Sequence, residues 1–286
     1  MDESEQLAHV NWSPSAARLF EECPRRFFYR YQQSASTGDD SEYTPPPGAY
    51  LGTVVHESLA AQIVRWRQGE NIHLQTAVDY ASDKLEGYAE ANAETIAARI
   101  DDDEGEFNSE SFIRSLIRTA REHIRRFFRV IWPHFDGHRY IIHETRQNLD
   151  IAEEPVAVQP DLCTRSTEGD FVVTDWKTGE YDRFSNPTLQ MQAYALYAHE
   201  AYEPELNRIR VQLAHTGSGE FERMVPTRDG IRQVRERIMD DRAFWTSQGN
   251  VESYETDPVA QKCSQCSYLL RCRDGQAVVG GGPEPY

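Results

Sequence analysis

The sequence predicts an α/β (α+β) fold, and three observations carry that expectation. Much of residues 13–132 shows apolar positions at helical spacing, while residues 140–225 hold short β-branched segments bounded by turn residues. Cysteines stand near both ends, at Cys23 and at Cys263, Cys266 and Cys272. The expected layout is a single domain over 1–286. It has a helical insertion at about 66–135, a strand-rich core at about 136–226, a C-terminal helix and cysteine region at about 227–274, and a flexible tail at 275–286.

Each element has a local reason. Ser13 supplies a capping oxygen and Pro14 lacks an N–H that the first helical turn would leave unpaired. Cys23-Pro24 is a break or restart, because proline disfavours helical backbone in the residue before it. Residues 34–50 are polar and proline-rich and read as a loop. Helices are expected over Thr53–Arg67, 74–98 and 108–132, with Asp101–Glu106 a solvated acidic loop. Strands are expected at Tyr140–Thr145, Val156–Thr164 and Phe171–Lys177, the last two joined by a turn at 166–170. A helix from Pro187 to Glu200, a hairpin of Arg208–Ala214 and Glu220–Val225, and a helix over Asp229–Thr246 follow.

The formal net charge is −17, with three lysines (Lys84, Lys177, Lys262) against 27 arginines. An acid-rich, lysine-poor surface suits work in molar salt, where the Debye length is about 3 Å. An ordinary acidic protein is the other reading. Net charge does not exclude DNA, because local patches decide contact. No run of 18 apolar residues exists, so no membrane-spanning helix is expected, and the acidic start MDESEQLAHV lacks a signal-peptide pattern. The expected location is the cytoplasm. A Walker phosphate loop is absent, which excludes an NTP-driven helicase in this chain. Five cysteines in a chain read as intracellular favour a metal site over a disulfide framework.

The chemistry concentrates at Pro160-Asp161 and Asp175-Trp176-Lys177. Side chains two apart on a strand share a face, so Asp175 and Lys177 point together, and Asp161 on the paired strand can converge with them. Phosphodiester hydrolysis needs such a set. Carboxylates hold Mg²⁺ or Mn²⁺, which polarises the phosphoryl group and lowers the pKa of bound water. A lysine beside that water can orient or deprotonate it, a role closed to arginine. The bland reading is a surface hairpin with a weak Asp–Lys pair.

With its neighbouring blocks, the sequence resembles the PD-(D/E)xK nucleases of the RecB/AddB type, including CRISPR-associated iron–sulfur exonucleases. The resemblance runs from Ser13 to Cys272. It rests on the opening helix 13–27 with Cys23, on Gly52-Thr53-Val54-Val55-His56, on Pro160-Asp161, on Asp175-Trp176-Lys177-Thr178-Gly179, and on Gln190-Met191-Gln192-Ala193-Tyr194. It implies a restriction-endonuclease-like mixed β-sheet flanked by helices. Lys177, Asp161, Asp175, Gln190 and Tyr194 would be the catalytic set, and His56, Asp161 and Asp175 the Mg²⁺ or Mn²⁺ ligands. Imidazole in that set leans toward Mn²⁺. Glu144 is a further candidate ligand, with a plain surface glutamate as the other reading. The implied activity is a DNA exonuclease or end-processing nuclease favouring single strands or ends, in DNA repair or CRISPR adaptation, with a helicase or CRISPR-adaptation partner.

The spacing Cys263-x₂-Cys266-x₅-Cys272 with Cys23 upstream gives four thiolates, and spacing alone serves zinc and iron–sulfur equally. The resemblance implies a 4Fe–4S cluster, with structural Zn²⁺ as the alternative. Cys163 is left over as a small core residue. Arg114, Arg118, Arg121 and Arg125 form one stripe on the 108–132 helix, and Arg25 and Arg26 a second cationic patch. Both read as DNA-phosphate contacts or as solvated faces paired with acids. Two rival functions remain: a catalytically silent nuclease-fold module that binds DNA or a partner, and a zinc-binding regulatory protein. Complete retention of lysine and acids argues against the first.

Overall fold

The computed structural model describes residues 10–37, 47–93, 109–179, 188–202, 204–247, 251–264 and 266–280. The acidic stretch Asp101–Glu106, residues 38–46 of the expected loop, Pro187 and residues 281–286 lie outside them. In chain order the first elements are α1 (Pro14–Glu22), α2 (Pro24–Thr37), α3 (Pro47–Arg67), α4 (Leu74–Ala91) and α5 (Ser109–Arg126). Strands β1 (Arg139–Ile142), β2 (Gln147–Ile151), β3 (Glu154–Val158), β4 (Leu162–Arg165) and β5 (Phe171–Lys177) follow. Then come α6 (Thr188–Tyr202), β6 (Ile209–His215), β7 (Phe221–Met224), α7 (Arg228–Ser247), α8 (Ala260–Ser264) and α9 (Arg273–Val279).

The chain groups into two compact units, each drawn from separated segments. One comprises Met1–Tyr43, Asn148–Val158 and Arg232–Tyr286, the other Thr44–Gln147 and Gln159–Ile231. The larger unit is built on a five-stranded sheet of order β1-β4-β5-β6-β7. Only the central pair, β5 with β6, is parallel; β1 with β4, β4 with β5, and β6 with β7 are antiparallel. A parallel pair needs a crossover, and α6 lies in the connection from β5 to β6. This is the expected mixed sheet flanked by helices.

One core joins α3, α4 and α5 to the sheet. Val54, Val55, Leu59 and Ile63 of α3 pack with Ala77, Ala81 and Leu85 of α4 and Ile117, Ala120 and Ile124 of α5, all buried. Trp176 of β5 enters this core edge-on to Phe127 and Phe135, at centroid distances of 5.0 and 5.7 Å. Phe127 and Phe135 come from a π turn at Phe127–Ile131 and a 3₁₀ turn at Trp132–Phe135, which replace the expected helical continuation to residue 132.

The smaller unit has its own core of aromatic rings. Phe20 and Phe27 pack on Trp245 and Tyr254, with Phe27 4.5 Å from the Trp245 ring. Trp12 bridges to Val156 and donates its indole N–H to Asp241 at 2.8 Å. Ser13 caps α1 by accepting from Ala16 N–H, and Cys23 in extended backbone ends it, so Pro24 restarts the chain as α2.

Several boundaries depart from the sequence expectation. Residues 34–37 and 47–50 are helical rather than loop. The single strand expected at Val156–Thr164 is two strands in different sheets, β3 and β4, split at Gln159-Pro160-Asp161. Proline cannot donate to a ladder, which accounts for the split. Strand β2 was not anticipated; its residues QNLDI lack β-branched character until Ile151. The expected flexible tail from residue 275 begins instead within α9, which Cys272 caps by accepting from Gly275 N–H.

Candidate active site

Strand β5 ends on Asp175-Trp176-Lys177. Because side chains alternate faces along a strand, Trp176 fills the core while Asp175 and Lys177 turn toward α6. Gln190 and Tyr194 stand one turn apart on α6 and both reach Asp175. Tyr194 OH donates to Asp175 Oδ1 at 2.7 Å and Gln190 Nε2 donates to the same oxygen at 3.0 Å. Lys177 Nζ donates to Gln190 Oε1 at 2.8 Å and lies 2.6 Å from Asp175 Oδ2 as a charge contact. Gln190 is thereby engaged at both ends of its amide, which fixes its orientation. Gln159 adds its carbonyl oxygen, 3.1 Å from Tyr194 OH.

Asp161 precedes β4 and is buried, with Oδ2 accepting the Trp176 backbone N–H. Its other oxygen, Oδ1, lies 3.1 Å from His56 Nδ1. Glu144 sits in the bend after β1 rather than on a strand, in left-handed backbone at φ 42°. That conformation is unfavourable for a non-glycine residue and is held by its N–H, which donates to Pro160 O at 3.1 Å. Glu144 Oε2 accepts from Gln159 Nε2 at 3.1 Å, and Oε1 lies 3.8 Å from His56 Nδ1, buried and without a hydrogen bond.

His56, Glu144 and Asp161 present donor atoms within 4.8 Å of one another, a set that could hold a metal ion. The residues fit such an ion: two carboxylate oxygens and one imidazole nitrogen converge, and the orphaned Glu144 Oε1 needs a partner. Asp175 stands outside this triad, its Oδ1 occupied by Tyr194 and Gln190. Asp175 and Glu144 were both expected as candidate ligands beside His56 and Asp161, and of the two it is Glu144 that joins the convergent triad. Glu144 was singled out in the sequence as a further candidate ligand, but the left-handed bend that carries it to His56 was not legible there.

The electrostatics follow from three acids around one imidazole. Burial opposes charge on His56, but its hydrogen bond to Asp161 and the nearby carboxylates of Glu144, Asp161 and Asp175 outweigh it, raising its pKa to about 10. Burial and the Asp175 charge push Asp161 up to about 7, against the pull of His56. Burial also works to raise Glu144, yet the neighbouring His56 and the hydrogen bond from Gln159 hold it below its ordinary value. Burial, with the Asp175 and Asp161 charges, pushes Tyr194 well above the usual phenol, so it stays a neutral donor. The cluster therefore retains protons that a bound cation would displace.

Helix α3 approaches the end of β5 at Gly52, where a Cβ would stand 2.9 Å from Thr178 Oγ1. Gly52 and His56, one turn apart, thus serve two purposes: the glycine admits the segment after Lys177, and the histidine meets Asp161.

In the smaller unit Cys23, Cys263, Cys266 and Cys272 line one pocket with Arg25, Arg26 and Tyr29. Arg25 Nε donates to Tyr254 O at 2.8 Å and Arg26 pairs with Glu22 at 3.3 Å, so both are engaged by their own unit. Cys163 is fully buried in β4, as a core residue. On α5, Arg114, Arg118, Arg121 and Arg125 are all exposed, opposite buried Ile117, Ala120 and Ile124. Arg114 pairs with Glu110 at 3.2 Å and Arg121 donates to Ser82 Oγ at 3.3 Å.

A mixed sheet presenting acids and a lysine at the end of a central strand defines a nuclease-type scaffold. The model of the PD-(D/E)XK nuclease superfamily matches residues 11–273, and the chain belongs to that superfamily. A solved structure from Eubacterium rectale, provisionally described as an exonuclease, is similar over 94% of this chain and 90% of its own, at 13% identity and a TM-score of 0.50. That likeness is one of fold. A second solved structure, named SSO0001, aligns over 58% of this chain and 76% of its own at 12% identity and a TM-score of 0.32. No match is found among curated proteins. Among the described residues no helix is long and apolar enough to cross a membrane.

Proposed function

We propose that the chain is a metal-dependent deoxyribonuclease of the RecB/AddB-like branch, working on DNA ends or single strands. The observation that carries this reading is the convergence of His56, Glu144 and Asp161 beside the Asp175–Lys177–Gln190–Tyr194 network. His56, Glu144 and Asp161 would hold Mg²⁺ or Mn²⁺, with Asp175 adding negative charge nearby. The bound ion would supply Lewis-acid polarisation of the scissile phosphate and a more acidic water. Lys177, held by Gln190 and Asp175, would position or receive a proton at Nζ. Tyr194 keeps its own proton and donates it to Asp175, which fixes that carboxylate. Gln190 aligns Lys177 with Asp175.

The four cysteines would carry a 4Fe–4S cluster. From residue 256 to 280, among the described residues, no apolar side chain is buried, so this segment lacks a core to order it. A bound group can supply that order. The exposed arginines of α5 would track phosphates. Repair and CRISPR adaptation, with a helicase or adaptation protein as partner, are the settings this reading allows, and the acidic, lysine-poor composition fits a halophilic, cytoplasmic archaeal protein.

The test is cleavage of end-labelled single-stranded, double-stranded and circular DNA in Mn²⁺ and in Mg²⁺, beside Lys177→Ala. Metal-dependent degradation of linear substrates, lost in the variant, is expected. Equal cleavage by both proteins would sink the reading. Iron with broad visible absorption is expected in the purified protein; stoichiometric zinc in a colourless one would overturn the cluster assignment.

A further inference from the structure

Lys177 occupies the last position of the β5–β6 ladder, paired with His215. A strand terminus frays unless something beyond the ladder holds it. Thr216 does so twice. Its backbone N–H donates to the Lys177 carbonyl at 2.9 Å, and its hydroxyl donates to the same oxygen at 3.1 Å. Thr216 is fully buried, and its hydroxyl oxygen lies 2.8 Å from His123 Nδ1. With the hydroxyl proton directed to the Lys177 carbonyl, the imidazole is the donor in the contact with Thr216. His123 is itself buried, on the inner face of α5, with Gly217 close enough that a Cβ there would meet its ring at 3.3 Å. Burial, then the Arg126 charge, lowers its pKa, so the ring is neutral. Neutral imidazole carries one N–H, and this contact directs it to Nδ1.

We propose that Thr216 and His123 are positioning residues for Lys177: the relay from His123 Nδ1–H through the Thr216 hydroxyl to the Lys177 carbonyl locks the strand end from which the lysine projects. Thr216 and His123 are buried, are not among the candidate metal ligands, and reach Lys177 through its backbone carbonyl rather than its side chain. It rests on the reading of Lys177 as the reacting lysine. Its contribution is to hold Nζ against Gln190 and Asp175, and small displacements of a reacting group cost rate steeply.

The experiment compares Thr216→Val, which removes the hydroxyl at nearly constant shape, with Thr216→Ser, which keeps it. Thr216→Val is expected to lower kcat about tenfold with KM and the Mn²⁺ midpoint unchanged, and Thr216→Ser to restore most of the rate. His123→Asn, which retains a donor near the Nδ1 position, should lie closer to wild type than His123→Leu. A readout free of activity exists because the chain has three lysines, Lys84, Lys177 and Lys262. In lysine-Nζ NMR of the metal-free protein, Thr216→Val should move the Lys177 resonance and leave the other two in place. Wild-type kcat with an unmoved Lys177 signal in Thr216→Val, or equal losses in the Val and Ser variants, would overturn the inference. Full activity in Lys177→Ala would instead defeat the catalytic reading of the lysine, while the NMR result would still report the relay.

Discussion

In the larger unit, Asp161, Asp175, Lys177, Gln190 and Tyr194 are tied by hydrogen bonds to one another or to backbone before any ligand binds, over a core that includes Trp176, Phe127 and Leu59. In the smaller unit, Cys263, Cys266 and Cys272 sit on short turns and helices whose apolar side chains are exposed or half-exposed, with Leu270 89% exposed. The first region owes its geometry to packing and would keep it without metal. The second has thiols gathered on one pocket and is held by polar contacts such as Thr256 with Asp274 and Tyr29 with the Arg271 carbonyl rather than by a buried apolar core, so under the proposed reading a group bound by the thiols would supply much of its order. The difference teaches that a site's polar residues can be preorganised by a core or by a ligand, and that the two respond differently to the same insult.

The sharpest break of the preorganised region is chemical. Lys177→Ala and Asp175→Ala should each lower DNA cleavage by about a thousandfold or more, while the melting temperature stays within a few degrees of wild type. Steady-state assays beside thermal scans would check both halves. The converse insult falls on the cysteines. Under the proposed reading, Cys263→Ser, or chelation of a group held by the cysteines, should raise amide exchange across residues 256–280 by roughly a hundredfold while β5 and β6 stay protected. Uniform loss of protection in both units would erase the contrast.

Proton competition probes the larger unit alone. His56, raised to about 10, must lose its proton to ligate a cation, and Asp161, raised to about 7, holds a second one below that pH. Affinity is therefore expected to rise with pH, by about tenfold per unit between 7 and 10 and more steeply below 7. Mn²⁺ titration by calorimetry across that range, with proton release measured in buffers of different ionisation heat, would show the slope. A flat profile would mean that His56 is not a ligand.

A smaller effect tests how closely α3 must approach β5. Gly52→Ala should cost about tenfold in kcat by displacing Thr178, and pairing it with Thr178→Ala should recover most of the loss. Smallest of all, Arg118→Ala and Arg125→Ala should each weaken DNA binding a few-fold and lower the salt slope by roughly 0.7–0.9, as read by fluorescence titration at several salt concentrations.

Much of this architecture was legible because its causes are local. Ser13-Pro14 announced a helix start, and the alternation in Val173-Thr174-Asp175-Trp176-Lys177 put the acid and lysine on one face and the tryptophan on the other. The four-residue spacing of Gln190 and Tyr194 likewise forecast a shared helix face. What stayed hidden depends on distant partners. Pro160 was noticed for the aspartate it precedes, not for the break it makes between β3 and β4. Glu144 was a candidate ligand from the sequence, but the left-handed bend that brings it to His56 is one no propensity favours. Thr216 and His123 are 93 positions apart, and only the packing of α5 on the sheet brings them together.

The Trp176 amide that caps Asp161 Oδ2 has a consequence for which cations the cluster accepts. With that oxygen bonded to the backbone N–H and Glu144 Oε2 bonded to Gln159, each carboxylate has one oxygen free of such a bond and would favour monodentate ligation. A cation seated against His56, Glu144 and Asp161 would therefore receive three protein atoms and fill its remaining positions from solvent or phosphate. Calcium, which favours six to eight oxygens and often takes a carboxylate through both, is poorly served by such sparse denticity. Smaller octahedral ions that keep several waters are served well. Selectivity would thus be set by hydrogen bonds that withhold oxygens, not by the count of acids in the sequence.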